Sequence, residues 1–306
     1  MIRRPPRSTL DRSSAASDVY KRQVQMRNTI NLFKKMKVAG EPIPMVTAYD
    51  YTSAKILEDA EIPLILVGDS LGQVVLGYET TVSVTMDDIL HHAKAVIRGT
   101  QKIHVVADMP FMSYQATVVQ ALRNAARLMK EGGVQSVKME GGVEIASKVN
   151  VLVNAGIPVM GHIGLTPQSV NQIGGYRIQG RSPESAKKIL QDAESLVEAG
   201  VYALVLEAIP SEISKIITKS FAIPTIGIGA GSFCDGQVQV FHDLMGLFKD
   251  FVPRHAKNYG NLYDSVLLAV KDYANDVKDK NFPTEEQIYH LSPIELAAMK
   301  GDIDLC

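Results

Sequence analysis

The sequence predicts a single α/β domain folded as a (β/α)₈ TIM barrel, followed by a C-terminal helical extension. Short apolar runs recur along the chain from Met45 onward, and most are followed by a stretch with apolar residues at helical spacing. Continuous apolar runs, rather than alternating ones, are expected of strands that are buried on both faces of a parallel sheet. The length of 306 residues is sufficient, since such a barrel takes roughly 250 residues.

Eight apolar runs are the predicted strands, and their number favours the barrel over its competitor, a doubly wound open sheet with about five or six strands. They span residues 44–50, 63–70, 103–110, 136–142, 158–164, 203–210, 224–231 and, more weakly, 237–243. The clearest predicted helices span 53–62, 85–99, 118–133 and 184–200, and several end in Gly, as helix C-termini prefer. We place the barrel domain at 25–285 and leave 286–306 as an unassigned tail.

Residues 1–24 differ from the rest of the chain. They are rich in Arg and Ser, contain two adjacent prolines and show no helical or strand period. They lack the apolar stretch of a secretory signal, and Asp11 and Asp18 weaken an interpretation as an organellar transit peptide. We therefore expect a non-native leader, with a disordered native tail as the alternative.

Composition narrows the class of protein. The formal net charge is −1, which gives no basic footprint for nucleic acid. No apolar run approaches the roughly 20 residues of a membrane helix. The only cysteines, Cys234 and Cys306, do not make a disulfide framework, which is typical of a reducing compartment. We expect a cytoplasmic protein that acts on small molecules, with neither nucleic acid nor membrane as a partner.

Ionisable side chains terminate five of the predicted strands. They are Asp69 with its neighbour Ser70, Asp108, Lys138 with Glu140, His162 and Glu207. In a (β/α)₈ barrel the C-terminal ends of all strands open onto one face, and that face carries the active site. We therefore expect these side chains to converge at one mouth.

Asp69, Asp108 and Glu140 are the predicted metal ligands. Three uncompensated carboxylates in a partly buried mouth repel one another, and a divalent cation removes that difficulty. Oxygen ligands without a nearby cysteine suit Mg²⁺ better than Zn²⁺. The alternative is that one or two of these residues cap helices, where Asp is common.

Glu207 and Lys138 are the predicted catalytic residues. Glu207 closes the apolar run ALVL, and a carboxylate in apolar surroundings suits a general base; the alternative is a salt bridge to Lys or Arg. Lys138 is expected to bind a substrate carboxylate or to oppose negative charge that develops during the reaction. An ion pair with Glu140, two residues on and on the same strand face, is compatible with that role. His162 is a weaker candidate for the substrate site.

Two glycine-rich segments are further candidates. GIGAG at 227–231 matches neither GxGxxG nor a Walker pattern, so close backbone packing or approach of a substrate is expected there. GGYRIQGR at 174–181 has three glycines and two arginines without a period, and we expect a mobile loop over the mouth.

Several strings in fixed order resemble the ketopantoate hydroxymethyltransferase family, within the phosphoenolpyruvate/pyruvate barrel superfamily. They are TAYDY (47–51), LVGDSLG (66–72), ADMPFMSY (107–114), VKMEGG (137–142), GHIGLTPQSVNQIGGYRIQGR (161–181), LEAIP (206–210), IGIGAG (226–231) and FHDLMG (241–246). The resemblance runs from about Thr29 to the region of Pro283.

The resemblance implies a function and a set of roles. Asp69 and Asp108 would hold Mg²⁺ with support from Glu140, and Glu207 would accept the proton. Asp69, Ser70, Asp108 and Lys138 would contact the α-keto acid. The activity would convert 3-methyl-2-oxobutanoate and 5,10-methylenetetrahydrofolate to ketopantoate and tetrahydrofolate, at the first committed step of pantothenate synthesis. Members of the family assemble as homo-oligomers, often decamers.

Two alternatives stay open from the sequence. Another Mg²⁺-dependent α-keto-acid lyase or mutase, similar to isocitrate lyase or phosphoenolpyruvate mutase, would carry a catalytic cysteine loop such as KKCGH. That loop is absent, and Cys234 lies in SFCDG. An inactive barrel that serves as a scaffold is the second alternative, and the presence of every expected site residue speaks against it.

Overall fold

A computed structural model describes residues 27–249 and 252–299. The predicted leader at 1–24, the end of the predicted tail and Cys306 lie outside the described residues. In the described part, eight parallel strands close into a barrel in chain order, with β8 paired to β1. The strands are β1 Ile43–Thr47, β2 Leu64–Val67, β3 His104–Asp108, β4 Ser136–Glu140, β5 Val159–Gly164, β6 Ala203–Glu207, β7 Thr225–Ile228 and β8 Gly236–Gln239. The barrel prediction is confirmed, and the open sheet is excluded.

Helices connect most strands on the outside of the barrel. They are α1 Ile30–Ala39, α2 Tyr51–Asp59, α3 Leu71–Val74, α4 Met86–Gly99, α5 Val118–Lys130, α6 Val143–Asn154, α7 Val170–Ile173, α8 Pro183–Glu198, α9 Ser211–Ser220, α10 Phe241–Met245, α11 Leu262–Lys278 and α12 Pro293–Met299. Capping boxes start two of the longest: Thr85 and Asp88 exchange hydrogen bonds at α4, and Ser182 and Ser185 do so at α8. All four clearly predicted helices are confirmed within a few residues.

The last predicted strand was too long. β8 ends at Gln239 instead of residue 243, and Phe241 already begins α10. The Phe241 N–H donates to Thr47 Oγ1 at 2.9 Å, so a side chain at the end of β1 satisfies one of the helix's first free amides. The apolar period alone does not reveal this contact between distant parts of the chain.

The apolar core has two layers, as expected of a (β/α)₈ barrel. The larger layer lies between the strands and the surrounding helices. The smaller layer fills the barrel, and Phe33 and Met36 of α1 pack into it. Because α1 precedes β1 and contacts this interior layer, it closes the N-terminal end of the barrel and leaves the C-terminal end for the site.

One side of the barrel lacks its own helix. The loop at 229–235 joins β7 directly to β8, and α10 has only five residues. A groove of about 940 Å³ runs here, lined in part by Pro42, Pro44, Cys234 and Gln237. The next helix, α11, has no buried residue along its length.

Within 27–249 and 252–299, no helix has both the length and the apolar character needed to cross a bilayer.

His104 at the start of β3 joins strands and helix at the closed end of the barrel. Its Nδ1 lies 2.9 Å from the Asn28 carbonyl oxygen, so this nitrogen carries the proton. Its Nε2 lies 2.8 Å from Ser136 Oγ, which in turn contacts the Tyr202 hydroxyl at 3.0 Å. Neutral His104 accepts from Ser136, and a second ring proton would remove that acceptor. Burial lowers the pKa of His104 to about 4.

We predict that His104 makes the stability of the protein depend on pH. The pKa of His104 is about 4 in the folded chain and about 6.5 in an unfolded one. The unfolded state therefore binds more protons between these values, and stability is full above about pH 6.5 and is lost as pH falls toward 4. Between pH 7.5 and pH 5 this linkage amounts to about 2 kcal/mol.

Urea unfolding of wild type and His104→Gln at both pH values measures this contribution. The variant should be less stable at pH 7.5 but should lose less stability on acidification than wild type does. An equal loss of stability in both proteins would rule out His104 as the source.

Candidate active site

A cavity of about 720 Å³ opens at the C-terminal end of the barrel. Every site residue expected from the sequence lines it: Asp69, Ser70, Asp108, Lys138, Glu140, His162 and Glu207. The predicted convergence at one mouth is therefore confirmed. The roles of these residues remain predictions.

Strand register brings these side chains together. Asp108 of β3 pairs with Lys138 of β4, and Glu140 of β4 pairs with His162 of β5. Lys138 and Glu140 lie two residues apart and therefore project to the same face. Asp69 and Ser70 follow β2 in the loop before α3. Lys138 and His162 lie within their strands, whereas Asp108, Glu140 and Glu207 are the last residues of theirs.

A chain of alternating charges crosses the mouth. Lys138 Nζ lies 2.8 Å from Asp108 Oδ1 and 3.7 Å from Glu140 Oε1. Glu140 Oε1 is also 3.3 Å from His162 Nδ1, and His162 Nε2 is 3.2 Å from Glu207 Oε2. The structure thus corrects two pairings: the nearer carboxylate to Lys138 is Asp108, and the partner of Glu207 is His162 instead of a Lys or Arg.

His162 is the cation between the two glutamates. Burial and Lys138 oppose its protonation, but Glu140 and Glu207 outweigh them and raise the pKa of His162 to about 9. Lys138 responds in the same direction, since Asp108, Glu140 and Asp69 overcome burial and raise its pKa. Because Lys138 Nζ and His162 Nδ1 lie only 3.2 Å apart, the two groups depend on the surrounding carboxylates to carry positive charge together.

The negative charges of the carboxylates are only partly compensated by the two cationic side chains. Burial first, and then Asp108 and Glu140, raise the pKa of Asp69 well above its usual value. Burial also raises the pKa of Asp108, although Lys138 opposes it. Glu140 behaves in the opposite way, because His162 and Lys138 overcome burial and lower its pKa. When all four carboxylates are ionised, Lys138 and His162 leave two negative charges uncompensated.

Asp69 and Asp108 fit a divalent cation. The Asp69 N–H donates to Asp108 Oδ2 at 2.9 Å, which holds the two residues side by side. Asp108 Oδ1 is buried and has no well-directed hydrogen bond, although Lys138 lies near it. Two adjacent buried carboxylates with free oxygen positions are the ligands that Mg²⁺ prefers. A divalent charge would match the uncompensated negative charge of the cluster.

Both oxygens of Glu140, the third expected metal ligand, already have partners in the protein. Glu140 directs Oε1 to His162 and Lys138, while Oε2 accepts from the Gln168 backbone N–H at 3.0 Å. Among the residues that the structure describes, no three His, Cys, Asp or Glu side chains are grouped as metal ligands. The carboxylate of Glu140 is therefore held by Lys138, His162 and the Gln168 backbone, and its part in binding a metal remains a prediction.

Three uncharged side chains and one further aspartate, none of them indicated by the strand-end pattern, lie at or next to the site. Gln168 donates from Nε2 to Asp69 Oδ2 at 2.8 Å, and the Tyr114 hydroxyl contacts the Glu140 backbone. The Tyr49 hydroxyl lies 2.8 Å from Ser70 Oγ. Asp243 of α10 also lines the cavity, and burial raises its pKa to about 6. Only their presence in the strings that carry the family resemblance, TAYDY, ADMPFMSY, GHIGLTPQSVNQIGGYRIQGR and FHDLMG, could have drawn attention to these residues.

The 174–181 loop lies at the cavity, as expected. Tyr176, Arg177 and Ile178 line it, and the Gln179 N–H donates to the Ala208 carbonyl at 2.9 Å. Ala208, directly after Glu207, has φ of 47°, a left-handed conformation that non-glycine residues adopt at a cost. The loop is thus bonded to a strained position next to Glu207.

Close packing explains the GIGAG segment. Gly231 has φ of +81°, and a Cβ there would lie 2.6 Å from Ser211 Oγ. Of this segment only Ile228 lines the site cavity. The expectation of close backbone packing is confirmed.

The fold and the site together define a class, that of (β/α)₈-barrel enzymes with a carboxylate cluster at the C-terminal face. Residues 27–285 match the sequence profile of the family described as ketopantoate hydroxymethyltransferase. The chain belongs to this family.

Relatives that align with nearly the whole chain carry a name that agrees with this family assignment. A protein of Dehalococcoides mccartyi (strain CBDB1), named 3-methyl-2-oxobutanoate hydroxymethyltransferase, is 54% identical over 275 residues, or 90% of this chain and 99% of the relative. A protein of the same name from Chloroflexus aurantiacus (strain ATCC 29366 / DSM 635 / J-10-fl) is 55% identical over 91% of this chain and 99% of the relative.

Solved structures share the architecture. The structure of phosphonopyruvate hydrolase in complex with oxalate and Mg⁺⁺ matches with a TM-score of 0.56 at 14% identity, over 90% of this chain and 96% of that one. A 2,3-dimethylmalate lyase, described as a member of the PEP mutase/isocitrate lyase superfamily, matches with a TM-score of 0.53 at 15% identity, over 90% and 95%. At this identity the likeness shows the fold alone.

We predict that Lys138 is essential for stability. Lys138→Met would leave Asp108 and Glu140 buried without their cation, which costs about 3–5 kcal/mol. Lys55→Met is the matched control, because Lys55 pairs with Asp59 at an exposed surface, where such a pair contributes about 0–1 kcal/mol. Urea unfolding of the three proteins without added metal measures both effects. An equal loss of unfolding free energy in the two variants would contradict the proposal that Lys138 neutralises the buried carboxylates.

Proposed function

We propose that the protein transfers a hydroxymethyl group to 3-methyl-2-oxobutanoate, with 5,10-methylenetetrahydrofolate as donor, and releases ketopantoate and tetrahydrofolate. This is the first committed step of pantothenate synthesis. The observation that carries the proposal is the convergence of Asp69, Asp108, Lys138 and Glu207 in one cavity, in a chain of this family. The name shared by its relatives supports the same substrate.

Asp69 and Asp108 would hold the Mg²⁺ ion. When bound, the ion supplies Lewis acidity that stabilises negative charge on the keto oxygen of the substrate. Ser70, whose hydroxyl contacts Tyr49, lies next to this position and is suited to hydrogen-bond the substrate. Glu140 would act through its neighbours Lys138 and His162.

Glu207 would take the proton from C3 of the α-keto acid. The Glu207 side chain is 14% exposed, whereas those of His162 and Glu140 are 3% exposed. Among these buried ionisable side chains, Glu207 is therefore the one most accessible to a substrate in the cavity. His162 Nε2 lies 3.2 Å from Glu207 Oε2, and His162 is the cationic group nearest to Glu207. Lys138 adds a fixed positive charge near the carbon acid and opposes the charge that develops as the proton leaves.

The cavity suits both substrates. Leu66, Val205, Ile228 and Val238 line it, and this apolar surface fits a branched aliphatic side chain. The volume of about 720 Å³ lies in the range of drug-sized ligands, roughly 300–1,000 Å³, and exceeds what a five-carbon acid fills. The remaining space, lined in part by Tyr176, Arg177, Phe248 and Arg254, suits a folate with an aromatic ring system and carboxylates.

The alternative lyase or mutase chemistry has less support. Cys234 lines the groove beside β8 and not the site cavity. It therefore cannot take the place of the cysteine expected of those enzymes. An inactive scaffold would have no need to keep four carboxylates and two cations buried at one mouth, since such groups are costly to bury.

We also propose that the protein forms homo-oligomers, as the family resemblance implies. Along one face of α11, Tyr263, Val266, Val270 and Tyr273 are 44%, 52%, 58% and 58% exposed. Such an apolar surface is typical of a protein–protein interface. The open groove between β7, β8 and β1 on the same chain gives a second copy a surface to contact.

The proposed activity is tested by C3–H exchange of 3-methyl-2-oxobutanoate in deuterated water and by ketopantoate formation once the folate is added. We expect both in wild type with Mg²⁺ and neither with EDTA. Glu207→Gln should keep substrate binding but slow exchange by roughly 10²–10⁴-fold, the usual contribution of a general base. NMR of the substrate measures exchange, and calorimetry measures binding.

Glu212→Gln, an exposed acid in the first turn of α9, is the matched control and should exchange as wild type does. Wild-type exchange in Glu207→Gln would remove Glu207 from the base role. A wild type that forms no ketopantoate with any divalent metal would refute the proposed activity itself.

The proposed assembly is tested by light scattering after size-exclusion chromatography. Val270→Asp should lower the mass of the particle, because a charge would enter the proposed interface. Val38→Asp, at an 82% exposed position of α1, should leave the mass unchanged. A monomeric wild type, or an unchanged mass for Val270→Asp, would contradict the interface.

A further inference from the structure

Gln168 is the most completely bonded uncharged side chain of the site. It lies in a 3₁₀ turn, Pro167–Ser169, that follows β5, and it is 3% exposed. Its position in the chain gives no strand-end signal, and its side chain does not titrate.

The orientation of the Gln168 amide is unambiguous. Nε2 lies 2.8 Å from Asp69 Oδ2 and 2.9 Å from the Met109 carbonyl oxygen, and both of these atoms accept. Oε1 lies 3.3 Å from Gln115 Nε2, which donates, and 3.0 Å from the Tyr114 hydroxyl, whose single proton also faces the nearer Glu140 carbonyl oxygen at 2.8 Å. Exchanging the nitrogen and the oxygen would break the contacts with Asp69, Met109 and Gln115, and these contacts therefore fix the orientation of the amide.

This orientation leaves Asp69 Oδ1 for a cation, beside Asp108 Oδ1, which Lys138 Nζ also faces at 2.8 Å. Gln168 occupies Asp69 Oδ2, and the Asp69 N–H occupies Asp108 Oδ2. Asp108 Oδ1 is buried without a well-directed hydrogen bond. Mg²⁺ requires nearly ideal octahedral geometry, which two single oxygens meet more readily than two chelating carboxylates.

Gln168 also holds Glu140. Its backbone N–H donates to Glu140 Oε2 at 3.0 Å, while Glu140 Oε1 faces His162 and Lys138. One residue thus contacts the carboxylate expected to bind the metal and the carboxylate that supports the cations. Side chains that hold metal ligands in this way raise metal affinity, because they fix the ligand before the ion arrives.

We propose that Gln168 is the positioning residue of the metal site. It orients Asp69 so that a single oxygen faces the cation, and it keeps Glu140 beside Lys138 and His162. The inference rests on the metal site of the proposed function. It adds a residue that acts through Asp69 and does not itself touch the ion or the substrate.

Titration of the metal alone tests this role. Mn²⁺, as a stand-in for Mg²⁺, is titrated into wild type, Gln168→Met and Gln115→Met by calorimetry, without substrate. Gln168→Met keeps the size of the side chain but loses the amide, and we expect its Mn²⁺ affinity to fall roughly 10–100-fold. Gln115 contacts the far side of the same amide and does not contact Asp69, so Gln115→Met should keep the wild-type affinity.

A second readout separates positioning from a general loss of structure. Since Gln168 acts on a metal ligand, a high Mn²⁺ concentration should restore C3–H exchange in Gln168→Met, whereas it should not do so in Glu207→Gln. If Gln168→Met does not fold, Gln168→Asn keeps an amide that is one methylene too short to bridge Asp69 and Met109, and the same loss of affinity is expected.

The outcomes are distinct. Wild-type Mn²⁺ affinity in either folded Gln168 variant would overturn the positioning role and leave the proposed activity intact. A wild type that binds no divalent cation would instead refute the metal site of the proposed function. A similar loss in Gln115→Met would overturn the specific role of the Gln168–Asp69 contact.

Discussion

The balance of buried charge at the barrel mouth is the constraint on which the site depends. Four carboxylates and two cations lie in one cavity, and Lys138, Glu140 and His162 are each less than 5% exposed at the side chain. Burying an unpaired charge costs several kcal/mol, so each group needs a partner. The pairs Lys138–Asp108 and His162–Glu207 meet part of that need. Asp69 is the group left without a cation.

The excess of negative charge at Asp69 and Asp108 affects the protonation state of the site. A site that holds Asp69 and Asp108 together without a cation favours the protonated form of Asp69, whereas a site with a divalent ion would keep both carboxylates ionised. Glu207 stands apart from the repulsion, because His162 separates it from Glu140. The proposed metal ligands and the proposed base thus lie at opposite ends of the same cluster.

The barrel makes this arrangement possible through its register. Asp108 pairs with Lys138, and Glu140 pairs with His162, on three successive strands. The loops then add the groups that the strands do not supply, since Asp69 and Gln168 both lie beyond strand ends. The side of the barrel without its own helix and the exposed α11 contribute none of the residues of this cluster, and they are the surfaces proposed to contact another copy of the chain.

Much of this could be read from the sequence, for a physical reason. Strands buried on both faces must be continuously apolar, so all eight strands and the side chains at their ends were recognisable. The end of β8 was not, because a side-chain contact from Thr47 starts α10 there. The contact partner of each site residue could not be predicted from the sequence either. Gln168 and Asp69, for example, are 99 positions apart in the chain. Sequence determined which charges meet at the mouth; the tertiary structure decided that Lys138 pairs with Asp108, Glu207 with His162 and Gln168 with Asp69, because register and loop geometry set distances that no local pattern encodes.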